Sequence, residues 1–219
     1  MKTLFLEAKY TGKINLNKIK LDKLPDNLGL ITTVQFVDHL DEIKQYLIEK
    51  GKKPLVGKGK QIYPGQILGC DPSSSEKIKD EVDAFIYIGT GKFHPLIVAI
   101  HTDKPLFTLN PISGEFKKLD EKEINTYKKR KKGALLKFLS ADTIGILIST
   151  KKGQYYNPKK LESLEKKYPK KKFYKFIAET IDYNQLENFP FIQAWVNTAC
   201  PRIEEDISIV NVKDIINIK

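Results

Sequence analysis

Two side chains in this sequence are suited to soft-metal or redox chemistry, Cys70 and Cys200, the only cysteines among 219 residues. Cys70 ends Tyr63-Pro-Gly-Gln-Ile-Leu-Gly-Cys70, and Cys200 ends Trp195-Val-Asn-Thr-Ala-Cys200 before Pro201 and Arg202. Each follows a strand-like run, so each thiol is expected at the carboxyl edge of a sheet, where open α/β folds build their sites. Two thiolates can bind iron or zinc but are too few for a closed site. Spacing alone leaves buried, inert cysteines open as the other reading. Arg202 and Arg130 are the only arginines; the fork of Arg202 could hold a carboxylate ligand, or pair with Glu204 or Asp206 on the surface. His94, in Gly91-Lys-Phe-His-Pro95, follows a strand and offers a hydrogen bond to a ligand, or it closes a turn. His39 and His101 stand alone and carry no assigned chemistry.

The elements that must position these residues are read from hydrophobic spacing. Strand-length apolar runs alternate with helical spacing, the pattern of α/β layering over parallel sheets. Expected strands are Thr3–Glu7, Leu28–Gln35, Ala84–Ile88, Pro105–Leu109, Ile144–Thr150, Phe173–Ile177 and Ala194–Asn197. Leu40, Ile43, Leu47 and Ile48 predict a helix over 39–50 closed by Gly51. Helical spacing also recurs around 157–168 and 183–188, and a long polar helix from about Glu121 to Leu139 joins two sets of elements. Leu28-Gly-Leu-Ile-Thr-Thr33 and Ile144-Gly-Ile-Leu-Ile-Ser-Thr150 open both sets alike, which suggests a duplicated unit. The expected domains are 1–118, carrying Cys70, and 119–219, carrying Cys200. Gly57, Gly59 and Gly65 match neither the P-loop nor the dinucleotide fingerprint and read as an ordinary glycine turn.

Composition bounds the function classes. Apolar residues make up 41% and charged residues 30%, a globular profile. No run reaches 18 apolar residues, and no signal peptide precedes the first apolar run, so the cytoplasm is the expected compartment and disulfides are not expected. The formal charge is +11 and uneven: residues 1–116 hold 16 Lys+Arg and 14 Asp+Glu, residues 117–219 hold 22 and 13. Such a balance attracts acidic partners or nucleic acid at long range. Lysine runs such as Lys128 to Lys132 also mark solvated helix faces, and no nucleic-acid recognition motif accompanies them.

Four blocks resemble a known family. Gly29-Leu-Ile-Thr-Thr-Val-Gln35, Gly65-Gln-Ile-Leu-Gly-Cys70, Phe85-Ile-Tyr-Ile-Gly-Thr-Gly-Lys-Phe-His-Pro95 and Val196-Asn-Thr-Ala-Cys-Pro-Arg202 are similar to the signature blocks of the archaeal diphthamide synthases, the 2-(3-amino-3-carboxypropyl)histidine synthases. They stand in the family's order, and the resemblance runs from near residue 1 to about residue 206.

That resemblance implies a radical enzyme acting on S-adenosylmethionine. Family members have three similar α/β domains, each giving one Cys to a central 4Fe-4S cluster. The reduced cluster cleaves a carbon-sulfur bond, and a 3-amino-3-carboxypropyl radical adds to an imidazole of translation elongation factor 2, the first step of diphthamide formation. By resemblance Cys70 and Cys200 are the second and third cluster ligands, and the chain matches the second and third domains. The first domain and its Cys are expected from a separate polypeptide. Gly89 and Gly91 could permit close backbone approach to S-adenosylmethionine or serve turn geometry, and Thr33 and Gln35 could line the same cleft or pack at a strand end. His94 and Arg202 could contact the same substrate, and Glu179 matches an acidic position of the family's third domain. The alternative it leaves is a non-catalytic structural subunit of the same complex.

Overall fold

The computed structural model describes residues 4–154, 159–202, 209–216 and 218. They divide into two compact units, Met1–Asn125 and Thr126–Lys219, with the border inside one long helix. The sequence places the domain border at 118/119, just before that helix.

In the first unit, continuous apolar runs become buried parallel strands, as expected where helices cover both faces of a sheet. Strands β1 (Asn27–Thr32), β2 (Lys53–Leu55), β3 (Ala84–Ile88), β4 (Leu106–Leu109) and β5 (Phe116–Lys118) lie in the order β2-β1-β3-β4-β5. All pairs are parallel except β4 with β5. Side chains alternate between faces. Leu28, Leu30, Ala84, Ile86, Ile88, Phe107 and Leu109 meet helix α1 (Leu40–Glu49) through Leu40, Ile43 and Leu47 in one core. Gly51, at φ +78°, ends the turn after α1, a conformation that favours glycine. The short helix α2 (Ser73–Glu76) packs against β1 and against α3 (Phe93–Thr102), which also touches β4.

In the second unit all strands are parallel: β6 (Thr143–Ser149), β7 (Lys172–Ala178), β8 (Ala194–Asn197) and β9 (Val210–Asn211), in the order β7-β6-β8-β9. Ile144, Ile146, Ile148, Ala194 and Val196 pack against Ala134 and Phe138 of α4 (Glu121–Ser140), Leu161 and Leu164 of α5 (Lys159–Lys167), and Val212 and Ile215 of α6 (Val212–Ile216). Some of the lysine excess is structural. Lys171 donates to the carbonyls of Leu139 and Ala141 at the end of α4, and Lys167 to those of Ile215 and Ile216 at the end of α6, where cations complement a helix C-terminus.

Two parallel α/β units flanked by helices are the expected fold class. The duplication is visible in register: Gly29 pairs with Phe85 across β1 and β3, as Gly145 pairs with Trp195 across β6 and β8.

Several elements differ from expectation. Leu4 to Glu7 form no strand and Leu4, Phe5 and Leu6 are exposed; an apolar run makes a strand only where another strand pairs with it. β1 stops at Thr32, whose hydroxyl donates to the Ile88 carbonyl at 2.6 Å, and a 3₁₀ helix (Val34–His39) follows. His94 lies in the first turn of α3 rather than in a loop, because Pro95 is tolerated where no intrahelical partner is needed. The 183–188 segment is a 3₁₀ helix. Residues 157 and 158, and the alternative partners Glu204 and Asp206, lie outside the described residues.

Candidate functional site

Cys70 sits in a tight turn beyond the carboxyl end of β1. Gln66 and Ile67 extend that edge: Thr32 N–H donates to the Gly65 carbonyl, and Ile67 N–H to that of Thr32, at 2.8 Å. Leu68 and Asp71 then exchange both backbone hydrogen bonds, at 3.0 and 2.9 Å, leaving Gly69 and Cys70 as a two-residue tip. The tip presses on α3, since a Cβ on Gly69 would stand 2.0 Å from Cε1 of Phe93.

The Asp71 carboxylate fastens the base of this turn, accepting from Gln61 Nε2 at 2.6 Å and Ser73 N–H at 3.2 Å. Burial raises its pKa, but those hydrogen bonds prevail and hold the carboxyl below its usual range. Ser73 Oγ accepts from Lys60 N–H, and Ser74 Oγ donates to the Gly57 carbonyl. The glycine loop of residues 57–65 is therefore occupied by α2 and cradles no phosphate. Cys70 is exposed, and neither cysteine is in a disulfide.

Cys200 follows β8 by three residues and is half-buried. Thr198 ties the loop to β6, with both its N–H and its hydroxyl donating to the Leu147 carbonyl. Cys200, Arg202 and Glu179 line one cavity of about 410 Å³ together with Ser149, Lys151 and Tyr183. Three of the sequence-derived candidates thus meet within the second unit. The set combines a thiol, two cations and a carboxylate, a suitable lining for a zwitterion or an anion.

The first-unit candidates gather less tightly. Gly89 and Gly91 line a cavity of about 310 Å³ with Lys92, Lys117, Glu115 and Glu123. Two of its lysines are paired with its own carboxylates, Lys92 with Glu123 and Lys117 with Glu115. Thr33 and His94 flank the buried Tyr87: the Thr33 side chain hydrogen-bonds with the phenol, and the His94 ring stacks on it at 6.2 Å between centroids. Burial pushes the phenol's pKa far up, with the Thr33 bond offsetting part of the rise. Gln35 is exposed, lines neither cavity, and offers its backbone carbonyl to Tyr10 N–H.

The two cysteines occupy unlike corners of the repeat. Aligning Phe85 with Trp195 brings Thr90, not a cysteine, to the place of Cys200. Gln66 stands beside Thr32 as Ile177 stands beside Ile148, so the counterpart of the Cys70 turn runs through Glu179 to Ile181.

Sequence reasoning did not single out Asp71, Tyr87, Lys151 or Asn197. Asp71 and Asn197 carried a signal, being next to or within cysteine-containing blocks, whereas nothing separates Lys151 from the other lysines.

This fold agrees with comparison to known proteins. The family described as "Putative diphthamide synthesis protein" matches residues 2–210, and the chain belongs to it. The 2-(3-amino-3-carboxypropyl)histidine synthase of Pyrococcus horikoshii is 32% identical over 198 residues, 89% of this chain and 55% of that protein. Subunit 1 of the synthase from Schizosaccharomyces pombe is 34% identical over 84% of this chain and 44% of its own length. The crystal structure of Dph2 from Pyrococcus horikoshii with a 4Fe-4S cluster superposes with a TM-score of 0.75 at 29% identity, covering 90% of this chain and 58% of that one. The chain spans about half the length of the curated relatives it matches.

The donor set suits such a cluster in part. Thiolates are its usual ligands, and two cysteines outside any disulfide, one exposed and one on a cavity, suit it. Among the described residues no group of three or more His, Cys, Asp or Glu gathers as a metal site. Two thiolates suit the chemistry of such a cluster but are too few to close it.

Proposed function

We propose that this chain supplies two of the three cysteine ligands, Cys70 and Cys200, of a 4Fe-4S cluster in a 2-(3-amino-3-carboxypropyl)histidine synthase. The remaining cysteine ligand is supplied from outside these 219 residues. The observation that carries this reading is that each unit presents one cysteine beyond a sheet's carboxyl edge, in a loop fastened by its own hydrogen bonds.

When bound and reduced, the cluster supplies the electron that breaks a carbon-sulfur bond of S-adenosylmethionine, the donor of the 3-amino-3-carboxypropyl group for a histidine of translation elongation factor 2 in the first step of diphthamide biosynthesis. The chain's own residues bind and orient. Arg202 takes the substrate carboxylate through its fork, and Glu179 on the same cavity has the charge to face its ammonium group. In the first unit Gly91, where a Cβ would meet nothing within 4 Å, leaves backbone open to a ligand and Gly89 lines the same cavity beside Tyr87, while Thr33, Gln35 and His94 stand at the same end of the sheet. Among the described residues no helix is long and apolar enough to cross a membrane, and the proposed place of action is the cytoplasm, with the elongation factor.

Anaerobic reconstitution with iron and sulfide tests this, using the chain alone and together with the polypeptide that co-purifies from native cells. We expect the full cluster spectrum and turnover only in the assembly. A complete cluster and turnover from the chain alone would refute the incomplete donor set, and an iron-free assembly would refute the ligand assignment. The name "subunit 1" on eukaryotic relatives supports dependence on a partner in either of two forms. A partner with one α/β domain and a cysteine makes this chain part of the enzyme; a full-length three-cysteine paralogue makes it a structural subunit.

A further inference from the structure

Asn197 is the last residue of β8 and is 1% exposed. Such a buried carboxamide must satisfy an acceptor and two donors locally. Its Oδ1 accepts from Ala199 N–H at 2.9 Å, and its Nδ2 donates to the Cys200 carbonyl at 3.0 Å and to Asn211 Oδ1 at 2.7 Å. The order of the amide's two ends is set by these partners, because an N–H needs the oxygen and a carbonyl needs the nitrogen. Asn211, itself buried in β9, seats the group from the neighbouring strand.

The first unit repeats the device. Tyr87 is the fourth residue of β3 as Asn197 is of β8, and its hydroxyl donates to the carbonyl three residues on, that of Thr90, at 3.4 Å. Thr90 stands in the place of Cys200. In the second unit the same reach is shorter, is accompanied by bonds to Ala199 and Asn211, and holds a cysteine.

We propose that Asn197, seated by Asn211, is a positioning residue that fixes the Cys200 loop so that its thiol is presented to metal. The proposal rests on reading Cys200 as a cluster ligand. Asn197→Asp keeps the acceptor for Ala199 but sets an oxygen against the Cys200 carbonyl. Asn211→Asp keeps the oxygen that Asn197 needs.

The test is the alkylation rate of Cys200 by iodoacetamide in the metal-free full chain carrying Cys70→Ser. N197D is expected to react about tenfold faster, the factor equivalent to roughly one net hydrogen bond, with unchanged far-ultraviolet circular dichroism. N211D should stay within about twofold of the parent, the margin left when one acceptor replaces another. Hydrogen exchange in the unsubstituted chain should find the Ala199 amide protected by at least about tenfold, as expected of a bonded amide, and this measurement decides the matter if N197D does not fold. A parent-like rate in N197D, an N211D chain as reactive as N197D, or an unprotected Ala199 amide would overturn the proposal. These readouts need no iron, so failure of the cluster assignment shows separately, as an unsubstituted assembly that takes up none.

Discussion

Gly145 lies directly beneath the indole of Trp195: a Cβ there would stand 2.3 Å from Cε3, inside van der Waals contact. Its counterpart in the first unit is Gly29 beneath Phe85, again at 2.3 Å. Gly145→Ala therefore forces the ring or the strand aside and should cost about 1–3 kcal/mol, the usual range for overpacking. Trp195 is the sole tryptophan, so its fluorescence during urea unfolding reports the loss in the second unit. Gly29→Ala should lower stability similarly, followed by circular dichroism; unchanged midpoints would show that the aromatic cover is not close-packed.

Asp71 carries a pH signature. Its folded pKa is depressed below 3.8, so its contribution is present at neutral pH and is lost as pH falls through the folded value. Asp71→Asn should lower the urea midpoint at pH 7, and the difference from the unsubstituted chain should vanish in strong acid. A difference that persisted unchanged below pH 3 would assign the effect to the amide's shape rather than to the carboxylate's charge.

Tyr87 behaves in the opposite direction with pH. Its folded pKa is raised by burial, so the stability it contributes is intact below pH 10 and falls as pH rises and the unfolded phenol ionises. Tyr87→Phe has no proton to lose and should unfold at higher pH than its neutral-pH stability alone predicts, as measured by alkaline titration under circular dichroism.

In the proposed assembly, iron content and turnover distinguish ligand from substrate residues. Cys70→Ala or Cys200→Ala should abolish the cluster, read as iron per complex. Arg202→Lys should retain iron and lower kcat/KM for S-adenosylmethionine by about 10- to 100-fold, because a point charge cannot reproduce a two-pronged contact. Normal turnover at limiting S-adenosylmethionine would remove Arg202 from the site.

The central strands were legible because a strand buried on both faces is apolar throughout: Ala84–Ile88 and Ala194–Asn197 are found at the expected residues. β2 and β9, of three and two residues, carry too little pattern to read, and Pro95 hid the start of α3. Residue type singled out both cysteines and Arg202 as candidates, while the bonds that hold the cysteine loops did not show. Asn197 meets Asn211 fourteen positions away, and Gln61 meets Asp71 across ten; such pairings arise from the folded path, not from periodicity.

Placing one thiol at each of two unlike corners has a geometric corollary. No rotation that carries one repeat onto the other carries sulfur onto sulfur, so the units are not interchangeable donors even though their sheets are alike. Putting a cysteine at Thr90 would copy Cys200 in the first unit, not Cys70.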